Sequence, residues 1–213
     1  MSEIAINEYR GIRRVCGADV TEDESGYAGG KWKHLAGAQG AVVTPNESSE
    51  THYYDNRPAI QIDTEGAIDV ALTVSILALK TKAWIDGKTL TTNGQYVGTP
   101  KKNGYKAVCF IGEKDDGTEE LNIFYKGKFT GGETTHNTKD DGTEATNTTY
   151  NFGSIFTNNN IAKDEDGNDV PCNRTIIPLD SVWTEKAILG TFTNGESDKE
   201  VMTPVEIEAL KTA

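Results

Sequence analysis

A stretch of strict alternation constrains the fold of this chain more than any other feature. From Ile68 to Ile76 the chain reads Ile-Asp-Val-Ala-Leu-Thr-Val-Ser-Ile, so every second residue is a large aliphatic one. Because successive side chains of a β-strand point to opposite faces, this pattern predicts a strand with one buried side and one solvent-facing side. A shorter strand is predicted just before it, over Pro58–Asp63, ending at the turn residues Glu65–Gly66.

Further strands are predicted in the second half of the chain. Two apolar runs, Tyr105–Glu113 and Glu119–Thr130, flank the dipeptide Asp116–Gly117. Asp-Gly supplies the positive φ angles of a tight turn, so the two runs are expected to pair as a hairpin. Alternation at Thr148–Phe156 predicts another strand, and the last ones are predicted at Ile176–Leu179 and Trp183–Phe192.

Two helices interrupt this pattern. Leu77–Asp86 has helical spacing and ends at Gly87, which suits a helix C-cap. Thr203–Glu206 is a capping box with proline at the first helical position, and it follows an acidic linker predicted at Asn194–Glu200. The sequence therefore predicts a mainly β protein, an antiparallel β-sandwich or partial barrel with one short flanking helix, over residues 1–193. An acidic linker and a short C-terminal helix are expected over residues 194–213.

The charge of the chain limits its partners. Asp and Glu outnumber Lys and Arg by 33 to 21, which gives a net charge of -12. Because affinity for duplex DNA comes largely from basic side chains, tight DNA binding is not expected. Three cysteines that are far apart, Cys16, Cys109 and Cys172, favour a reducing compartment. No signal-peptide pattern or long apolar run is present, so we expect a soluble protein without a membrane partner.

Known catalytic and metal-binding patterns do not fit the chain. Gly26–Trp32 resembles a phosphate loop, but Ser25 replaces the first glycine and Trp32 replaces the magnesium-binding hydroxyl residue. Asp164–Asp169 offers several oxygen ligands, but its glycine falls at the fourth position, so a solvated turn is preferred over a cation site. The histidines, which share no metal-ligand spacing, are His34, His52 and His136. We therefore predict no catalytic residues, no metal and no cofactor.

One segment is more specific than these patterns. Residues 50–66 read Glu-Thr-His-Tyr-Tyr-Asp-Asn-Arg-Pro-Ala-Ile-Gln-Ile-Asp-Thr-Glu-Gly. This resembles the signature of the major tail proteins, or tail-tube proteins, of long-tailed, non-contractile bacteriophages of Gram-positive hosts. Glu8–Arg14 is similar to that family's first strand, and Phe129–Gly142 resembles a later part of it. The resemblance extends to about Thr157, and we expect no counterpart of the immunoglobulin-like C-terminal domain that many members carry.

The resemblance implies a structural role in the virion. Six copies would form a ring, each adding strands to a shared inner barrel, and the rings would stack into the phage tail tube after synthesis in the host cytoplasm. The tube would enclose the tape-measure protein, meet the tail terminator and distal tail proteins, and conduct genomic DNA without binding it specifically. The residues predicted to form the assembly interface, from the interface-type side chains that the polar segment Thr44–Pro58 carries, are His52, Tyr53, Tyr54, Asp55, Asn56, Arg57 and Pro58.

Several expectations follow for the surface. The polar segment Thr44–Pro58 is expected to reach a neighbouring subunit or ring, the alternative being that Tyr53 and Tyr54 cover their own sheet. Polar faces of Glu119–Thr130 and Thr146–Thr157 are expected to line an acidic bore. A β-sandwich adhesion or carbohydrate-binding module is the alternative function, since exposed Tyr53 and Tyr54 beside an acid suit sugar binding. A hydrolase with an unrecognised site is less favoured.

Overall fold

The computed structural model describes residues 8–55, 57–102, 104–132 and 147–212. Within these ranges the strands are β1 (Tyr9–Asp23), β2 (Gly26–Gly29), β3 (Lys31–Ala36), β4 (Ala38–Tyr54), β5 (Arg57–Val74), β6 (Thr89–Leu90), β7 (Tyr96–Val97), β8 (Tyr105–Lys114), β9 (Glu119–Gly132), β10 (Thr148–Ser154), β11 (Ala162–Lys163), β12 (Asp169–Val170), β13 (Arg174–Pro178), β14 (Phe192–Thr193) and β15 (Glu196–Glu200). The helices are α1 (Leu79–Asp86), α2 (Glu185–Leu189) and α3 (Pro204–Thr212).

Most of the strands belong to one antiparallel sheet. Its order is β14-β15-β3-β1-β8-β9-β10-β5-β4, with β2 paired to β1 and β13 paired to β9. The predicted hairpin is confirmed as β8–β9, and Gly117 has a φ of 80° in its turn. The predicted antiparallel, mainly β class is therefore confirmed. In the described ranges, β14 and β4 lie at opposite ends of the strand order, and they do not pair to close a barrel.

The central strands are buried on both faces. Ala107, Cys109 and Ile111 of β8 point into an apolar cluster that also contains Trp32 and Ile188. Val108 and Phe110 point into a second cluster, on the other side of the strand, formed mainly with β5, β9 and β10. A strand that is apolar on both faces suits this double cover, and Tyr105–Ile111 is such a strand. The sheet therefore has a core on each side of its middle.

The two helices that the sequence predicted are present. Helix α1 ends at Gly87, whose φ of 62° lies in the left-handed region that favours glycine. Helix α3 begins with the predicted capping box, in which the Glu206 amide donates to Thr203 Oγ1 at 3.3 Å and the Thr203 amide donates to Glu206 Oε2 at 2.7 Å. Among the described residues, each helix is too short or too polar to span a lipid bilayer.

Two predictions near the C-terminus are wrong. Trp183–Phe192 was predicted as a strand, but it contains α2, which Thr184 caps by accepting a hydrogen bond from the Ala187 amide at 3.0 Å. Short apolar runs suit helices and strands equally, and here the cap decides. Asn194–Glu200 was predicted as a linker, but β15 pairs with β3 and buries Ser197.

The prediction that a polar face of Glu119–Thr130 lines an acidic bore is also wrong. Every residue of β9 from Leu121 to Gly127 is buried, because both neighbouring core clusters cover it. The two acids at its start are paired within the subunit, Glu119 with Arg13 at 2.6 Å and Glu120 with Lys114. Strand β9 is therefore a core strand and supplies no acidic wall.

Candidate functional site

The β4–β5 hairpin extends well beyond the sheet. Strand β10 pairs with β5 only from Ile68 to Val74, whereas β4 pairs with β5 as far as Tyr54 and Arg57. We call the outer part of this hairpin, residues 46–65, the arm. A two-stranded hairpin is marginally stable by itself in water, and open strand edges readily accept further strands. In the described residues the arm contributes to neither core cluster, so its structure favours a partner.

A β-bulge marks the root of the arm. Pro45 pairs with Ile68 and Glu47 with Glu65, so three steps along β5 match two along β4. Gly66 lies in this bulge, where an added Cβ would be only 2.6 Å from the Asn46 carbonyl oxygen. A bulge bends its strand and reverses the side to which later side chains point. The strand predicted at Pro58–Asp63 is therefore continuous with the alternating strand but faces the other way.

One face of the arm is apolar and uncovered. Tyr54, Ile60 and Ile62 lie on this face because Ile60 and Ile62 pair with His52 and Glu50, while Tyr54 is two residues beyond His52. Their exposed fractions are 61%, 51% and 50%. The opposite face is polar and acidic, and its residues include Glu47, Ser49, Thr51, Asp63 and Glu65. An exposed apolar row with a polar back is typical of a protein-binding surface.

The tip of the arm contains the residues predicted as the assembly interface. Tyr54 pairs with Arg57 across the turn, and Asp55 has a φ of 50°, as tight hairpin turns require. His52 pairs with Ile60 and is half-buried, and Tyr53 pairs with Pro58. Asn56 lies outside the described residues, and the side chain of Pro58 is not described. The structure thus gathers His52, Tyr53, Tyr54, Asp55, Arg57 and the Pro58 backbone at one projecting end.

The two tyrosines do not cover their own sheet. Tyr53 is 67% exposed and Tyr54 is 61% exposed, so neither ring packs on the subunit. As neighbours along one strand, they point to opposite faces of the arm. They therefore do not form the single aromatic platform that a sugar-binding site would use, and a protein interface suits them better.

Ile60 and Ile62 belong to this surface although the sequence did not assign them to it. Both were placed in a strand, where alternation is normally taken as evidence for a core-facing side. The sequence did contain one signal that these two isoleucines are exposed, which is the polarity of the strand that pairs with them. Residues 46–52 contain no aliphatic residue that could cover these isoleucines from the same hairpin.

The acidic turn at Asp164–Asp169 is satisfied by its own hydrogen bonds. The Asp164 carboxylate accepts bonds from Asn168 Nδ2 at 3.1 Å and from the amides of Asp166 and Asn168 at 3.0 and 2.8 Å. The side-chain bond from Asn168, followed by these amides, lowers the pKa of Asp164. In the part of the chain that the structure describes, no three His, Cys, Asp or Glu side chains are grouped to hold a metal ion.

Comparison with known proteins adds no family assignment. No protein-family model matches the chain, and no curated protein is significantly similar to it. The functional interpretation therefore depends on the geometry of the arm and on the resemblance of residues 50–66.

Proposed function

We propose that this protein is the structural subunit of a phage tail tube, in which copies assemble into hexameric rings that stack. The observation that carries the proposal is the arm, whose apolar row Tyr54, Ile60 and Ile62 is uncovered in the subunit. A second copy placed on this row would remove it from water and would also cover the open strand edges. The proposed role is structural rather than catalytic.

The proposed tube has a bore, and the outward face of β5 and β10 suits its wall. The side chains on this face are small or acidic: Asp69, Ala71, Thr73, Thr149 and Asn151. Thr73 Oγ1 and Thr149 Oγ1 lie 2.9 Å apart and hydrogen-bond to each other, so these two hydroxyl groups already have a partner within the subunit. These five positions include no lysine or arginine, so they offer no positive charge that would hold DNA.

This wall gives a prediction for the double variant Thr149→Lys/Asn151→Lys. Both side chains are exposed in the subunit. Each ring of six would carry twelve added cations, so we expect variant tubes to retain short duplex DNA at low salt and to release it as salt rises. Cosedimentation of labelled DNA with assembled tubes measures this. The control variant Thr149→Ser/Asn151→Gln should retain no more DNA than the wild type, and lysine tubes that also retain none would contradict the assignment of this face to the bore.

The proposal also fixes the expected partners. The tape-measure protein would occupy the bore before DNA passes through, and the tail terminator and distal tail proteins would bind the two ends of the tube in the virion.

Sedimentation velocity over a range of protein concentrations tests the proposed function. We expect a shift from subunit to hexamer and then to longer polymers as the concentration rises, because an arm interface depends on mass action. A species that remains monomeric at millimolar concentration would contradict the proposal.

A further inference from the structure

A positively charged lobe lies at the far end of β5 from the arm. We call residues 79–102 the lysine lobe, which consists of α1, β6, β7 and the connections between them. Its charged residues are Lys80, Lys82, Lys88, Lys101, Lys102 and Asp86, so five cations and one anion give a local charge of +4. The whole chain has a net charge of -12, which makes this concentration of cations distinctive.

Two of these lysines are available to a partner. Lys82 lies 3.3 Å from Asp86, Lys88 donates to the Thr99 carbonyl at 2.6 Å, and Lys101 donates to the Phe129 carbonyl at 2.8 Å. Lys80 and Lys102 are exposed. Within the described part of the chain, neither makes a side-chain hydrogen bond or an ion pair.

The lobe is held firmly against the sheet. Trp84 Nε1 donates to Asp19 Oδ1 at 2.8 Å, and Ala83 and Ile85 are buried. Tyr96 Oη donates to Asp86 Oδ2 at 2.8 Å, which ties β7 to α1. The lysines are therefore presented on a fixed surface, which lowers the entropic cost of binding.

Exposed apolar side chains accompany these cations. Leu79, at the start of α1, is 53% exposed, and Ile76, three residues before it, is 77% exposed. The lysine lobe thus offers aliphatic surface beside Lys80.

The arm carries the complementary combination. Its charged residues are Glu47, Glu50, Asp55, Asp63, Glu65 and Arg57, so five anions and one cation give a local charge of -4. Glu50, which pairs with Ile62, shares the face of the apolar row, and Glu47, Asp63 and Glu65 lie on the opposite face. Opposite charges beside matching apolar surface favour association and suppress wrong partners.

The arm and the lysine lobe of one copy are at opposite ends of the same strand. Strand β5 begins at Arg57 in the arm and ends at Val74, from which the chain leads into α1. At roughly 3.3 Å per residue, the two ends of β5 are about 55 Å apart. The arm therefore does not reach its own lobe. Two different surfaces at opposite ends produce a head-to-tail contact, which propagates into rings or filaments.

We propose that the arm of one copy docks on the lysine lobe of the next copy. This inference rests on the proposed function and identifies the surface that receives the arm. Ile60 and Ile62 cover Leu79 and Ile76, and Glu50, on the same face of the arm, lies against Lys80 and Lys102.

Charge reversal on each side tests the docking. The lobe variant is Lys80→Glu/Lys102→Glu. The arm variant is Glu50→Lys/Thr64→Lys, at exposed positions on the same face as Ile60 and Ile62. Each places like charges in contact, so we expect each to raise the critical concentration for assembly at least about tenfold at low salt. An equimolar mixture of the two variants should assemble again, because each arm then meets a lobe of opposite charge. Light scattering and sedimentation measure assembly, and circular dichroism verifies that each variant is folded.

A matched control and the mixture separate the possible outcomes. Lys31→Glu/Lys186→Glu changes the net charge equally at exposed lysines outside the lobe, and it should assemble like the wild type. If the wild type assembles and the lobe variant assembles equally well, the docking is wrong while the proposed function stands. If the mixture of variants fails to assemble, the pairing of these two surfaces is wrong. If the wild type itself never assembles, both the docking and the proposed function are wrong.

Discussion

The double variant Tyr54→Ala/Arg57→Ala should keep its fold and lose assembly. The two side chains pair across the tip of the arm, and both are exposed, so their removal leaves the cores unchanged. Tyrosine and arginine are among the residue types that most often dominate interfaces, and replacing each with alanine costs about 2 kcal/mol or more of binding free energy. The two losses together correspond to a roughly thousandfold rise in the critical concentration for assembly. Sedimentation across a concentration series measures this rise.

The control for this variant is Val205→Ala/Lys186→Ala. It removes one exposed apolar side chain and one exposed cation at positions away from the arm. We expect it to assemble like the wild type. Normal assembly of the arm variant would contradict an interface at the tip, whereas an unfolded arm variant would show that the tip stabilises its own subunit.

A second large effect is expected at a buried ion pair, Glu22 and Lys126. Their side chains are each 2% exposed, and Glu22 Oε2 lies 2.5 Å from Lys126 Nζ. Glu22 Oε1 also accepts bonds from the amides of Asn158 and Asn159, which holds this connection against the end of β1. Removing one partner leaves a buried charge uncompensated, so Lys126→Met should lower the free energy of unfolding by about 3 to 5 kcal/mol.

A double-mutant cycle identifies the cause of this loss. Glu22→Gln/Lys126→Met leaves no buried charge, so it should recover a large part of the stability lost by Lys126→Met alone. The exposed pair Lys163 and Asp169, 2.9 Å apart, is the control, and Lys163→Met should cost less than about 1 kcal/mol. Denaturant unfolding measures the wild type, Glu22→Gln, Lys126→Met, the double variant and the control Lys163→Met. Strictly additive costs at Glu22 and Lys126 would contradict the coupling.

The same pair predicts acid sensitivity. Burial alone would raise the pKa of Glu22, but the hydrogen bonds from Lys126 and the backbone amides outweigh it and lower this pKa. A carboxyl with a lowered pKa in the folded state contributes its stability above the unfolded value, near 4.5. This contribution is lost as the pH falls below 4.5 through the folded-state pKa. Glu22→Gln should therefore flatten the decline in stability over this range.

The strands and the buried faces could be predicted where local pattern and packing agree. Ile68–Val74 alternates because one side faces a core, and Tyr105–Ile111 is apolar on both sides because it has a core on each. The Asp116–Gly117 turn follows from the φ that it requires. In the segment after Trp183, a helix cap decided the structure, and a short apolar run gave no way to foresee it.

The apolar face of the arm could not be predicted from alternation alone. Ile60 and Ile62 share sequence parity with Ile68 and Val70, which places all four on one side of a regular strand. The bulge at Gly66 reverses this relation, so the first two isoleucines face away from the core. Pairing register, which involves residues far apart in sequence, determines such a bulge. The tip residues were found because their composition, polar with Tyr and Arg, differs from that of a core segment.

Electron microscopy of the purified wild-type protein tests the central claim most directly. At high protein concentration we expect six-fold rings and long hollow filaments, with density for the arm continuous with a neighbouring copy. Six-fold symmetry follows from the resemblance of residues 50–66, and the continuous density follows from the uncovered row Tyr54, Ile60 and Ile62. Isolated particles of single-subunit size at every concentration, with the arm free in solvent, would contradict the account.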